Sequence, residues 1–396
     1  MLHNDPITVL THEVVGWRHH IHAHPELAFE EKETARFVAE MLRSFGLDEI
    51  HENIGGTGVV GVLRSGDGAR AIGFRAELDA LPVLEKADVP YISRNEGVMH
   101  ACGHDGHTAM LLGAAKLLSH TRSFNGTVYF VFQPAEENKG GSMRMIEDGL
   151  FDRFPMEAVY AVHNWPGVKF GTIATHVGPQ MAAVDNFELS FEGLGCHAAI
   201  PQLGDDPILA ASAFVQAVQR VVSRSVDPQS ALVVSITQIH GGNVGNIVPK
   251  TVRLQGTCRF FEPGFSDHCE MVIGQIAEGI AIAHSLNAKL DYKRGYPPLV
   301  NTPAASAHAI DAASTVLGRD NVTTDFSASL GCEDFAFMLR AASGCYAWIG
   351  AGDVGPSEGL HGDRYVFNDA IVPMVLRYWQ TLAEQVLPAE TREGAE

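Results

Sequence analysis

A chain of 396 residues is too long for one compact core and points to two domains or three. An apolar fraction of 46% against 19% charged residues excludes a disordered chain. With 28 Lys and Arg against 47 Asp and Glu, the net charge of -19 sets nucleic acid and membrane surfaces aside as partners. No apolar run approaches the roughly 18 residues of a spanning helix. The opening stretch MLHNDPITVLTHE lacks the basic start and apolar core of an export signal. Six cysteines, at 102, 196, 258, 269, 332 and 345, show no paired spacing, so free thiols and a cytoplasmic location are expected.

Residues 8–46 carry helical periodicity in HEVVGWRHHIHAHP and EEKETARFVAEMLRSFG, with Gly46 placed as a helix-ending glycine. β-type runs follow at 58–64 (GVVGVLR) and 69–78 (ARAIGFRAEL), then a helix opens near Asp105 and runs through HTAMLLGAAKLLSH. TVYFVFQ (127–133) reads as a strand, GGSMRMIEDG as a helix and AVYAVHN (158–164) as a strand. Strands with continuous apolar runs alternating with helices predict an α/β layered sheet covered on both faces.

Near residue 184 the pattern changes. FELSFEG (187–193) alternates as a half-exposed strand, and 206–224 reads as one long helix. SALVVSITQIHGG and TVRLQGTCRFF are strands, FSDHCEMVIGQIAEGIAIAHS a helix and NAKLDYKRGY a strand. That order is β-α-β-β-α-β, the ferredoxin-like split motif. After YPPLVNTP the first pattern resumes, with a helix at 303–317, a strand at 344–350 and a terminal helix NDAIVPMVLRYWQTLAEQVL. The expected fold class is therefore α/β: a discontinuous domain at 1–184 and 299–396, interrupted by a ferredoxin-like domain at 185–298.

Ligand sites in open α/β sheets lie beyond the carboxyl ends of the strands. Here one strand runs into Asp79, a second into Pro134-Ala135-Glu136-Glu137 and a third into His163. HACGHDGH sets Cys102, His104, Asp105 and His107 just before a helix, and His361 lies in a Gly-rich loop past GCYAWIG. Thiolate, imidazole and carboxylate converging on one sheet edge make a donor set for a zinc-like divalent ion.

Taken singly, each has a plainer reading. Cys102 could be a buried thiol, His163 a satisfied core histidine and Glu136-Glu137 a solvated loop pair. Agreement among several strand ends outweighs those readings, because a charge pair directly after an apolar strand must be solvated, paired or metal-bound. Spacing alone leaves His104 and His107 competing for one ligand role. Asp105 is placed to cap its helix. His19, His20, His22 and His24 lie on a helix remote from the strand ends and are expected to be structural. Gly56-Thr57-Gly58-Val59-Val60-Gly61 matches GxGxxG, but a strand pattern follows where a dinucleotide site needs a helix.

The blocks RAELDALPVLE, HACGHDGHTAMLLGAA, FQPAEE, HNWPG, CHAAIPQLGDDP, GNVGNIVP, GTCRFF, GCEDF and LHGD occur in order between residues 75 and 363. Together they resemble the aminoacylase and carboxypeptidase superfamily of dimetal amidohydrolases, in its hippurate hydrolase and auxin-conjugate hydrolase branch. The resemblance implies metal ligands Cys102, His104, Glu137, His163 and His361, with Cys102 bridging two ions. Glu137 and His361 would complete one site, His104 and His163 the other. It implies Glu136 as general acid and base, Asp79 orienting an imidazole ligand, and His107 outside the ligand set. From the inserted domain it implies His197 and Asn246 at the oxyanion and Arg259 on a substrate carboxylate.

The implied activity is hydrolysis of N-acyl amino acids, hippurate-like or N-acetyl, with two divalent ions per chain. Zinc or manganese is expected, and cobalt or nickel is compatible with the donors. The implied partners are a small N-acyl amino acid substrate and a second copy of the chain, docked through the inserted lid domain. Dipeptide cleavage or pathway deacetylation would use the same groups, and a catalytically silent metal-dependent binding protein would need no Glu136. Two departures from the family pattern fall near the pocket mouth: Cys196 before His197, and Asn138-Lys139 after the glutamate pair.

Overall fold

The computed structural model describes residues 6–355 and 358–389, which gather into two compact units. The first is built from the chain up to Gln180, from Val300–Ser327 and from Asp334 onward. The second comprises Met181–Leu299 and the short segment Ala328–Glu333. That segment joins the second unit because the carbonyls of Ser329 and Gly331 both accept from the Ala182 N–H, at 3.0 and 2.9 Å.

The first unit holds an eight-stranded sheet in the order Glu49–Ile54, Gly58–Ser65, Gly126–Gln133, Ala71–Glu77, Ala158–Pro166, Ser343–Gly352, Ile173–Ala174, Val322–Thr323. Its centre, from Gly126–Gln133 to Ser343–Gly352, is parallel. These are the largely apolar runs of the sequence, as burial on both faces requires, with polar groups such as Arg75, Glu77 and His163 among them. The two outer strands Glu49–Ile54 and Gly58–Ser65 add antiparallel pairing. The first of them, EIHENI, is largely exposed, so no apolar alternation marks it in the sequence.

Ile72 and Phe74 point into the main core, formed with the helices Pro6–Ala23, His104–Thr121, Pro303–Leu317 and Val372–Val386. Close helix packing explains Gly113, where a Cβ would lie 2.6 Å from Leu376 and 2.7 Å from Val14. Arg75, the next residue after Phe74, points to the opposite face and lies over the Phe335 ring of the helix Phe335–Ala341. Gly58–Ser65 follows the Gly56–Gly61 run as a strand, with no helix opening there.

In the second unit the strands Leu232–Gly241, Thr251–Phe260, Ala183–Glu192 and Asn287–Arg294 form an antiparallel sheet in that order. Phe187, Leu189 and Phe191 face a core shared with Phe214 and Ile273 of the helices Pro207–Ala217 and Gly264–Ala283. Strand and helix order together make this the βαββαβ ferredoxin-like arrangement. The helix expected over 206–224 is two, Pro207–Ala217 and Arg220–Arg224. The Val221 N–H bonds to the Val218 carbonyl at 3.0 Å, a tightened turn that interrupts the α pattern.

Candidate metal centre

Every candidate ligand and Glu136 belongs to the first unit. Cys102 and His104 come from the turn opening the helix His104–Thr121, Glu136 and Glu137 from the turn after Gly126–Gln133, and His361 from the late loop. His163 lies within the strand Ala158–Pro166 rather than at its end, because the pairing with Ser343–Gly352 continues to Pro166.

Three backbone features set this geometry. Gly103 has φ +96, and a Cβ there would lie 2.1 Å from Asn164 Oδ1. Ala135, at φ 52, is held in its left-handed turn by a hydrogen bond from its N–H to Glu31 Oε1 at 2.9 Å. His361, at φ 65, donates its N–H to the Ala101 carbonyl at 2.7 Å, which fixes it beside Cys102.

The donor atoms fall into two sets. Those of Cys102, His104 and His163 lie within 4.8 Å of one another, and so do those of Cys102, Glu137 and His361. Cys102 belongs to both. Its Sγ is 3.4 Å from His163 Nε2, and Glu137 Oε1 is 3.1 Å from His361 Nε2.

Tautomers follow from acceptors that cannot donate. His104 Nδ1 donates to the Asp79 carbonyl at 2.9 Å, with Asp79 Oδ1 3.3 Å away, so Nε2 is the nitrogen a cation would reach by displacing its proton. His163 Nδ1 donates to the Asn164 carbonyl at 2.7 Å, freeing Nε2. Asp79 also accepts the Glu137 N–H at 2.9 Å, tying both donor sets to one carboxylate. His107 is occupied otherwise: Nδ1 lies 2.8 Å from Glu77 Oε2, and Nε2 lies 2.7 Å from Asn164 Oδ1 and 3.0 Å from the Asn164 backbone N.

These residues fit two divalent cations. His104 Nε2 is buried without a hydrogen-bond partner among the described residues, and buried Glu137 Oε1 makes no hydrogen bond there although His361 Nε2 lies 3.1 Å away, a cost that bound cations would remove. Burial alone would lower the His104 pKa. The Asp79 hydrogen bond and the charges of Glu77, Asp79 and Glu137 overcome it and raise it to about 10, so this corner attracts positive charge. Burial and neighbouring His107 push His163 well below the usual range, which keeps it the neutral base a metal ligand must be. Glu136 lies close to these sets: its carboxylate clusters within 4.8 Å with donor atoms of His104 and Glu137, and Oε2 is 4.0 Å from His104 Nε2.

His197 and Asn246 are brought together in the second unit. His197 pairs with Ile247 in a two-stranded ribbon, and the Ala198 N–H donates to the Asn246 carbonyl at 2.9 Å. Both residues are exposed. Arg259, in Thr251–Phe260, is half-buried with Nη1 3.9 Å from Cys332 Sγ. Cys196 is half-buried in the same ribbon, and Lys139 Nζ reaches the Ala28 carbonyl at 3.1 Å, while the Asn138 side chain lies outside the described residues.

Two expectations about flanking residues change. Asp105 does not cap its helix; it lies inside the first turn, where it accepts from His22 at 2.8 Å and Arg18 at 3.4 Å. Consequently His22 is not remote from the centre but buried next to the residue that follows His104, with Glu85 3.0 Å from its other nitrogen. Sequence reasoning also missed the buried charges Glu31, Arg75, Glu77 and Asp334. Burial would raise Glu77, but Arg75 and His107 hold it well below the usual carboxylate range.

Two candidate donor sets share one thiolate on an interrupted α/β domain, an arrangement that could hold the two divalent cations of a binuclear metallohydrolase. The chain belongs to peptidase family M20/M25/M40, whose family model matches residues 73–385. It is 39% identical to a hippurate hydrolase of Campylobacter jejuni over 93% of this chain and 95% of that protein. It is 39% identical to an N-acetyl-L-cysteine deacetylase of Bacillus subtilis over 87% and 82%. A solved structure of a dinuclear metal binding peptidase of Bacillus subtilis superposes with TM-score 0.84 at 30% identity, covering 96% of this chain and 99% of that one.

Proposed function

We propose that the chain hydrolyses the amide bond of N-acyl amino acids, releasing a carboxylic acid and a free amino acid. The observation that carries this reading is Cys102 standing in both donor sets, with Glu136 adjacent. Cys102, His104 and His163 would hold one divalent cation, and Cys102, Glu137 and His361 the other. When bound, the pair supplies polarisation of the scissile carbonyl and a lowered pKa for the attacking water.

Glu136 then takes the water's proton and returns it to the amine, which leaves poorly without it. Glu137 and Glu136 divide the work between holding a cation and moving a proton. His197 and Asn246 would stabilise the oxyanion, and Arg259 would meet the free carboxylate of the amino acid. Zinc or manganese suits the mixed S, N and O donors, with cobalt and nickel also compatible.

The reading is supported by relatives named for removing acyl groups from amino acids. A pathway deacetylase acting on N-acetyl substrates is the second reading, favoured by the deacetylase relative. A homodimer through the second unit fits the unpaired outer edge of Leu232–Gly241, beside the exposed Ile239, Val244 and Ile247. A cytoplasmic location accords with a chain whose described helices include none long and apolar enough to cross a membrane.

The test is a panel of benzoyl, acetyl and aminoacyl amino acids with wild type and Glu136→Ala, loaded with metal. Glu136→Ala should lower kcat by about 10²- to 10⁴-fold while still binding two ions per chain. Unchanged turnover in that variant would overturn the mechanism.

A further inference from the structure

The block GCEDF stands among the motifs above, and no step yet uses it. Its Asp334 is fully buried on the face of the sheet opposite the main core. Oδ1 accepts from Gln133 Nε2 at 2.8 Å and lies 3.1 Å from Arg75 Nη2. Oδ2 accepts the Ser142 N–H at 2.9 Å, and the Ser142 hydroxyl donates to the Asp334 carbonyl at 2.6 Å. Gln133, ending its strand, and Ser142, in the helix Gly141–Glu147, flank the tight segment whose short helix Glu136–Lys139 carries Glu136. Asp334 therefore closes that segment, and its own N–H donates to Glu136 Oε1 at 3.3 Å.

The segment needs such a brace. Ala135 and Gly140 both have positive φ, at 52 and 67, and a Cβ at Gly141 would lie 1.7 Å from the Pro134 carbonyl. A backbone this constrained keeps its shape only where surrounding bonds over-determine it. The result is directional. One Glu136 oxygen is anchored by a peptide N–H, and the other is turned to within 4.0 Å of His104 Nε2 at the donor sets.

We infer that Asp334 is a positioning residue for Glu136, clamping the 133–142 segment so that Oε2 faces the reacting water while Oε1 is held. The inference rests on the proposed role of Glu136 as the base. The contacts of Asp334 described above run to Glu136 and to the two ends of its segment, so it acts through the glutamate, and about an ångström of misplacement at such a group costs on the order of 10²-fold in rate.

The experiment compares metal-loaded wild type, Asp334→Asn and Ser142→Ala on one hydrolysed N-acyl amino acid, with metal content measured on each. Asp334→Asn puts an NH2 where an oxygen now faces either the Ser142 N–H or the donors of Gln133 and Arg75. Expected is a fall in kcat of about 10- to 100-fold, KM within about threefold and two ions per chain. The solvent isotope effect on kcat should rise, because proton transfer by a misaimed base becomes the slow step. Ser142→Ala removes only the bond to the Asp334 carbonyl and should shift kcat and the isotope effect the same way by a smaller factor.

A purely structural residue would lower folded yield or metal content and leave kcat per loaded site and the isotope effect at wild-type values. That result in Ser142→Ala and in whatever loaded Asp334→Asn is recovered overturns the inference. If Glu136→Ala itself keeps full turnover, the proposed base is wrong. If Glu136→Ala is inactive while Asp334→Asn keeps its kcat, the failure is confined to the positioning role.

Discussion

Replacing Asp79 with Asn changes one atom and disturbs both donor sets by different amounts. The Asp79 carboxylate accepts the Glu137 N–H through Oδ2 at 2.9 Å and faces His104 Nδ1 through Oδ1 at 3.3 Å. An amide has one oxygen, so its NH2 must point at one of those two N–H groups. The Glu137 bond is the shorter and loses more if broken, so the oxygen stays there and the NH2 turns to His104. Nδ1 keeps its bond to the Asp79 carbonyl at 2.9 Å, so the ring is loosened rather than released.

Loss of such an orienting partner weakens a metal site by about 10- to 100-fold, or about 1.4–2.8 kcal/mol. The expected pattern is unequal: binding at the site assigned to His104 and His163 weakens, and that assigned to Glu137 and His361 changes little. Titration of metal-free protein against a competing chromophoric chelator resolves the two affinities. Two sites as tight as in wild type, or a loss shared equally, would refute the reasoning about Asp79.

Two further outcomes follow from the surrounding network. Burial lowers the His22 pKa, but Asp105 and Glu85 more than offset it and raise it to about 9 from 6.5. A raised folded-state pKa gives stability that is complete below about 6.5 and is lost as pH climbs through about 9. Thermal melts should therefore show Tm falling over that interval, with at most about 3 kcal/mol at stake, and His22→Gln should flatten the slope. An equal slope in that variant removes His22 as the cause. Gly103→Ala forces a Cβ to 2.1 Å from Asn164 Oδ1 at φ +96. It should destabilise by more than about 2 kcal/mol in denaturant melts, and an unchanged midpoint would mean the turn relaxes.

What the sequence made legible follows from where burial leaves a one-dimensional mark. Gly126–Gln133 is buried along nearly its whole length, so its apolar run and the glutamate pair after it stand out together. Asp206-Pro207 announces a helix start, and Asp206 does accept from the N–H groups of Ile208 and Leu209. The exposed edge strand Glu49–Ile54 left no such mark. Nor did the charges that brace the site. Nothing in the sequence singles out Glu31, Arg75, Glu77 or Asp334, because their partners lie in segments up to 259 residues away. Asp105 and His22 were misjudged for the same reason, since a contact across 83 residues has no periodicity to betray it.

Anomalous diffraction from crystals of the metal-loaded protein tests the shared thiolate most directly. Two peaks should flank Cys102 Sγ, one also ligated by His104 and His163 and the other by Glu137 and His361. A single peak, or two peaks of which one lacks Cys102, would contradict the bridged centre from which the proposed chemistry is built.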